Sequence, residues 1–373
     1  MKSLPILGIL IVQTFLCLAH WFLYSTWVDF WWPLSAPAVQ SLRIAIGLLS
    51  FLFIVATVLS FRAANWFVTL LYRGACLWLS LLNFLFWGAC LAWLIDLALR
   101  AILPNSTRLE IRPWLAGGLL LAAVSITAYG LINARKIRLR RVAVKLPNLP
   151  PAWAGRTALV VSDLHLGNIN GARFARRIAA MARQLSPDII FMPGDLFDGT
   201  RVDADKIAAP LLELAPPLGV YFVTGNHEEF GDTEQFCAVL RRAGFHVIDD
   251  ERVVVDGVVI AGVGYPTSTH LIQLRHVLTG LNLGEDSPSI LLQHVPNRLP
   301  MIEQAGVRLM LSGHTHCGQA FPFTLIARRA FGEFTHGLHT FGALQVYTSS
   351  GAGTWGPPMR VGTSSEIVLL TFA

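Results

Sequence analysis

The run Ala158-Leu159-Val160-Val161-Ser162-Asp163-Leu164-His165 decides the fold. Four apolar residues bounded by polar ones read as a buried strand, being too short for a helix. A carboxylate and an imidazole follow, two positions apart. In an extended segment such side chains share a face, so Asp163 and His165 are expected to meet one metal ion. The pattern recurs four times downstream. Residues 189–192 lead to Gly194-Asp195, and 220–223 to Gly225-Asn226-His227-Glu228. Residues 290–292 lead to Gln293-His294, and 309–311 to Gly313-His314-Thr315-His316. Open α/β sheets place their sites at the carboxyl ends of strands, where all these groups fall.

Between the runs lie helical stretches. Residues 173–185 set Phe174, Ile178, Met181 and Leu185 at helical steps, with arginines on the other faces, and Pro187 stops the helix. Strands alternating with helices give an α/β domain. Shorter β-rich runs at 253–255, 258–261, 344–347 and 367–372 predict a second sheet packed on the first.

The polar set mixes carboxylates, imidazoles and an amide. That suits Mn²⁺, with Fe or Zn²⁺ as alternatives, better than Ca²⁺, which prefers oxygen alone. There are too many ligands for one ion. Two ions about 3.5–4 Å apart would use them, as pairs that displace phosphoryl groups do. Two divalent ions outweigh Asp163 and Asp195 in charge, which favours a phosphate ester.

The first third of the chain is different. Residues 1–134 hold ten charged residues. A bilayer crossing takes about 20 mostly apolar residues. Residues 4–24, 39–61, 75–99 and 114–134 qualify. Trp27, Trp31 and Trp32 fit an interfacial aromatic belt. Arg73 interrupts an apolar run, so residues 66–72 are expected to lie along the surface, and Asp96 is expected to pair with Arg100. Lys2, then Arg62 with Arg73, then the cluster Arg135, Lys136, Arg138, Arg140, Arg141 and Lys145 fall on one side of four spans. Basic residues mark the cytoplasmic side, which puts the catalytic domain there, on an inner or cell membrane. Polar residues inside the spans are sparse, which favours an anchor over a transporter.

The net charge of +6 is largely that juxtamembrane cluster, a match for anionic lipid head groups and not for nucleic acid. Five cysteines without paired spacing exclude a disulfide framework and fit a reducing compartment. The expected organisation is a four-helix transmembrane region at 1–134, a basic linker at 135–155 and a catalytic domain at 156–373.

The order Asp-x-His, Gly-Asp, Gly-Asn-His-Glu, His, Gly-His-Thr-His resembles the calcineurin-like metallophosphoesterases. The likeness is greatest to their membrane-linked branch. It includes the Gly155-Arg156 pair, Ser162-Asp163-Leu164-His165-Leu166-Gly167, and a closing segment Ser350-Gly-Ala-Gly-Thr-Trp-Gly-Pro-Pro-Met-Arg360 with Glu366-Ile367. The resemblance implies a two-sheet α/β sandwich. It implies that Asp163, His165, Asp195 and His316 hold one metal, and that Asp195, Asn226, His294 and His314 hold the other. A hydroxide carried by both ions would attack phosphorus, with His227 beside the phosphate stabilising charge or protonating the leaving group. Some relatives of this branch cleave the pyrophosphate of UDP-2,3-diacylglucosamine, so a lipid-linked phosphodiester or pyrophosphate is the expected substrate. The alternatives are a soluble nucleotide or protein substrate, or a non-catalytic membrane sensor or scaffold, against which the full ligand set argues.

Two positions depart from the family. Cys317 stands where relatives carry glycine, open to a metal or redox role or to a small tolerated side chain. Gly264-Tyr265-Pro266 stands where an acidic residue is common. Arg360 reads as a phosphate or structural contact. Glu228, Glu229, His270, His276, His336 and His339 read as supporting or surface groups.

Overall fold

A computed structural model describes residues 6–284 and 287–373. Lys2 and the start of the first expected span lie outside the described residues. The chain forms two compact units, one reaching Ile132 and one running from Asn133 through the C-terminal strand.

The first unit is four helices: α1 (Ile6–Phe30), α2 (Ala36–Arg62), α3 (Trp66–Leu99) and α4 (Asn105–Ala134). All four are long and apolar enough to cross a membrane. The expected surface segment at 66–72 is corrected. It is the first two turns of α3, capped by the Asn65 side chain accepting from the Val68 N–H at 3.0 Å. Nothing at Arg73 breaks a helix. At 34 residues α3 is about 51 Å long, well beyond a hydrocarbon core of ~30 Å, so Arg73 need not lie at its centre. Asp96 does meet Arg100, at 3.3 Å, but its main partners are Arg108 at 2.7 Å and Arg112 at 2.8 Å. The α3–α4 turn is thereby stapled around one buried carboxylate.

The second unit begins with β1 (Arg138–Val144), β2 (Thr157–Val160), α5 (Ala172–Leu185), β3 (Ile189–Pro193), α6 (Ala204–Leu212) and β4 (Val220–Val223). Next come α7 (Asn226–Phe230), α8 (Thr233–Arg242), β5 (His246–Val247), β6 (Arg252–Val255), β7 (Val258–Val263), α9 (Tyr265–Thr269) and α10 (Leu271–Leu281). It closes with β8 (Ser289–Gln293), α11 (Leu299–Gln304), β9 (Leu309–Ser312), α12 (Phe323–Phe331), β10 (Gly337–Phe341), β11 (Leu344–Thr348) and β12 (Glu366–Phe372).

Two six-stranded sheets result, ordered β1-β12-β2-β3-β4-β5 and β10-β11-β9-β8-β7-β6. The five site-bearing strands divide between them. β2, β3 and β4 run parallel in the first, and β8 and β9 run parallel in the second. The last β-rich run, expected in the second sheet, is β12, which lies in the first between β1 and β2. Part of the basic stretch assigned to the linker is β1, whose arginines line a sheet edge, where charge discourages pairing with another chain.

Side-chain alternation builds the layers. Ala158, Val160, Ile189 and Phe191 face Ile260, Ile290, Leu292 and Leu309 of the other sheet. Leu159, Ile190, Met192 and Phe222 face outward to α5, α6 and α8. Leu291 and Met310 do the same toward α10 and α11. The order is helix, sheet, sheet, helix, with strands apolar on both faces as buried parallel sheets require.

Candidate metal centre

Every loop leaving β2, β3, β4, β8 and β9 brings a polar side chain to one end of the sandwich. Asp163, His165, Asp195, His227, His294 and His316 are all buried. Two overlapping groups form. In the first, the Nε2 atoms of His165 and His316 are 2.9 Å apart, and His316 Nε2 is 3.4 Å from Asp163 Oδ1. In the second, Asn226 Oδ1 lies 3.1 Å from His294 Nε2 and 2.9 Å from His314 Nδ1. Asp195 Oδ2 joins them, 3.7 Å from His165 Nε2 and 3.1 Å from His294 Nε2. The seven expected ligands are therefore together, and His227 stands beside them with its ring centroid 4.5 Å from that of His165. Ligand-type atoms of His227, His165 and Asp195 also lie within 4.8 Å of one another, so proximity alone does not separate His227 from the ligands. Its tautomer does bear on its role. His227 Nδ1 donates to the Asp198 carbonyl at 3.0 Å, which leaves Nε2 to exchange a proton.

The reason for this convergence differs from the extended pairing expected of Asp163 and His165. Asp163 has φ 54° and His165 φ 46°, and Asp195, His314 and His316 are also left-handed. Non-glycine residues avoid this region, and clusters of them mark functional sites where the surrounding fold enforces the strain. Gly194, at φ 89°, lies where a Cβ would strike the His294 ring, and a Cβ on Gly313 would strike Ser162 and Asp163.

Electrostatics fit divalent cations. Burial holds His165 and His316 well below the usual imidazole range, and burial with His294 pushes His314 down to about 4. Burial disfavours charge on His294 too, but Asp195 and Asp163 lift it to about 9. Burial alone would raise Asp195; His294 and His227 outweigh it and hold it well below the carboxylate range. Burial raises Asp163 to about 6. Lone pairs of His165, His314 and His316 thus crowd against carboxylate and amide oxygens, with the proton on His294 held by Asp195. Metal cations relieve that crowding, and the donor set fits them.

Several supporting residues had no decisive signal in the sequence. Glu228, fully buried, accepts from the backbone N–H groups of Asp195 at 3.0 Å, Phe197 at 2.9 Å and Gly225 at 2.8 Å. Burial and Asp195 push its carboxyl up to about 8. Arg360 is fully buried and spends its guanidinium on the carbonyls of His316, Ser350 and Gly353, so it is a structural brace and not a phosphate contact. His336, expected at the surface, pairs with buried Glu366 at 3.0 Å. Cys317 lies outside the candidate ligand groups among the described residues, and burial raises its thiol, which disfavours a reactive thiolate.

A two-sheet α/β sandwich with clustered Asp, His and Asn at its strand ends defines a metal-dependent phosphoesterase. The chain belongs to the calcineurin-like phosphoesterase family, whose pattern matches residues 156–318. A zebrafish (Danio rerio) relative described as a transmembrane protein with metallophosphoesterase domain is 31% identical, covering 81% of this chain and 73% of the relative. Its bovine (Bos taurus) namesake is 32% identical, covering 75% of this chain and 66% of the relative. A solved structure of a zebrafish dimetal phosphatase is similar at 13% identity and a TM-score of 0.37, covering 53% of this chain and 88% of that one.

Proposed function

We propose that this chain hydrolyses a phosphodiester or pyrophosphate on a membrane-proximal, lipid-linked molecule at a two-metal centre. Asp163, His165, Asp195 and His316 would hold one ion. Asp195, Asn226, His294 and His314 would hold the other. Mn²⁺ is the first choice, with Fe or Zn²⁺ next. When bound, such ions supply Lewis acidity and an activated water at neutral pH. The observation that carries this reading is the position of Asp195, within reach of both ligand groups.

The chain's own residues account for the rest. His165, His314 and His316, held below the usual imidazole range by burial, keep their lone pairs available, and the proton that Asp195 holds on His294 would be displaced by a cation. His227, held by the Asp198 carbonyl, offers Nε2 to the leaving group. Four helices of spanning length support membrane residence, and the basic residues flanking them support a cytoplasmic catalytic domain. A span ending at Ala134 and a strand starting at Arg138 leave three residues between them, four steps of at most about 14 Å in all. That short tether favours substrates in the bilayer, UDP-2,3-diacylglucosamine among them.

The test is hydrolysis of a chromogenic phosphodiester by the purified full chain with Mn²⁺. Asp195→Ala should abolish it; a variant as fast as wild type refutes the assignment. Lipid-linked and soluble pyrophosphates compared side by side then distinguish a bilayer substrate from a soluble nucleotide.

A further inference from the structure

One face of the catalytic unit is apolar where solubility alone would make it polar. None of α12 is buried. Phe323, Leu325 and Ile326 are 54%, 61% and 60% exposed, and Phe321 just before the helix is also exposed. Thr324, Ala327 and Phe331 form its inner side, at helical steps. Arg328 and Arg329 close its last turn, and neither has a carboxylate partner among the described residues. The nearest acid in sequence, Glu333, faces His339 at 3.8 Å.

This helix is fastened to the candidate metal loop. Phe331 stands 6.0 Å from the His314 ring, and Thr335 ties the two segments. Its hydroxyl donates to the Gly332 carbonyl, directly after the helix, at 2.7 Å, and its carbonyl accepts from Thr315 at 2.7 Å. Across the site, His227 sits between two exposed rings, Phe230 at 4.9 Å and Trp355 at 5.7 Å. Apolar surface therefore flanks the centre on both sides.

We propose that α12, with the Phe230–Trp355 rim, rests in the headgroup layer of an anionic bilayer and carries the mouth of the site to a lipid-borne phosphoester. This rests on the phosphoesterase reading for its substrate but not for its geometry. An exposed apolar helix with adjacent arginines fits an interfacial element, its apolar side chains about 5–10 Å into the acyl boundary and its arginines on lipid phosphates. The spans tether the unit to a bilayer, which raises the effective concentration of that surface. A second copy is a poorer occupant. Nine residues span about 14 Å, whereas a stable dimer buries ~800 Å² per partner.

The test needs no turnover, so its failure is separate from failure of the phosphoesterase reading. The full-length wild-type protein is reconstituted in vesicles of phosphatidylcholine and phosphatidylglycerol, doped with a phosphatidylcholine bearing a diazirine near its acyl carbonyl. After irradiation, labelled peptides are mapped by mass spectrometry. The α12 peptide should be labelled severalfold more than the β6 peptide carrying exposed Val254. Equal labelling of the two overturns the proposal. So does an unlabelled α12 that a bifunctional reagent links to a second chain. Vesicles without phosphatidylglycerol should lower α12 labelling in wild type but not in Arg328→Gln/Arg329→Gln; indifference of wild type to lipid charge overturns the role of the arginines.

Discussion

The Glu228 carboxyl group accepts the Asp195 backbone N–H at 3.0 Å, and through Gly225 it also holds the loop that presents Asn226. One buried acid thus fixes the spacing between the shared carboxylate and a second candidate ligand. Glu228→Gln keeps the size but turns an amide NH₂ toward backbone donors. The expected result is a loss of about 1–3 kcal/mol of stability and a lower rate at saturating Mn²⁺. Thermal unfolding and phosphodiester hydrolysis measure both. A variant equal to wild type in both would show the contacts to be idle.

Cys317 occupies φ 52°, ψ 30°, a left-handed conformation that costs a side chain about 1–2 kcal/mol and costs glycine little. Glycine's extra freedom in the unfolded chain offsets part of that. Cys317→Gly should therefore raise stability by up to about 1 kcal/mol and leave turnover near wild type. A large loss of bound metal in this variant would instead make the thiol a ligand.

How far the sequence was legible follows from what kind of physics placed each residue. The five apolar runs each lie within about a residue of an observed strand, because burial on both faces demands unbroken apolar side chains. Asp163, Asp195, Asn226 and His294 are at the strand ends where chain order put them. Sheet membership was not legible: β8 and β12 look alike in composition yet lie in different sheets, since pairing depends on long-range register. Nor was the left-handed backbone of Asp163 and His165, which neighbouring loops impose. Glu228 and Arg360 gave no periodic signal because they serve backbone groups, whose sequence identity is irrelevant. Arg73 misled because its charge costs energy in lipid without breaking a helix.

Asp96 is 1% exposed and compensates Arg108 and Arg112, themselves only 11% and 13% exposed. Removing one partner of a buried ion pair costs about 3–5 kcal/mol, because the remaining charge is stranded. Asp96→Ala should sharply lower the thermal stability of the detergent-solubilised chain, while Arg100→Ala, whose side chain is half exposed, should cost about 1 kcal/mol or less. Equal effects would contradict the ranking.

Burial raises the Asp249 carboxyl to about 6, although it accepts from the Thr224 N–H at 2.8 Å and hydroxyl at 2.9 Å. The folded chain keeps this proton to about pH 6, while the unfolded chain releases it near 4. Between those values the folded state binds more protons, so stability falls as pH rises. Asn can make both Thr224 bonds without charge. Asp249→Asn should flatten the melting profile between pH 4 and 6 and gain about 1–3 kcal/mol at pH 7. A steeper profile would reverse the sign assigned here.

Metal content tests the shared-carboxylate centre most directly. The Mn²⁺-loaded full chain and Asp195→Ala are compared by elemental analysis per mole of protein. The expected result is about two ions per wild-type chain and fewer than about one in the variant, since Asp195 reaches both ligand groups. One ion in wild type, or two retained in the variant, would contradict it.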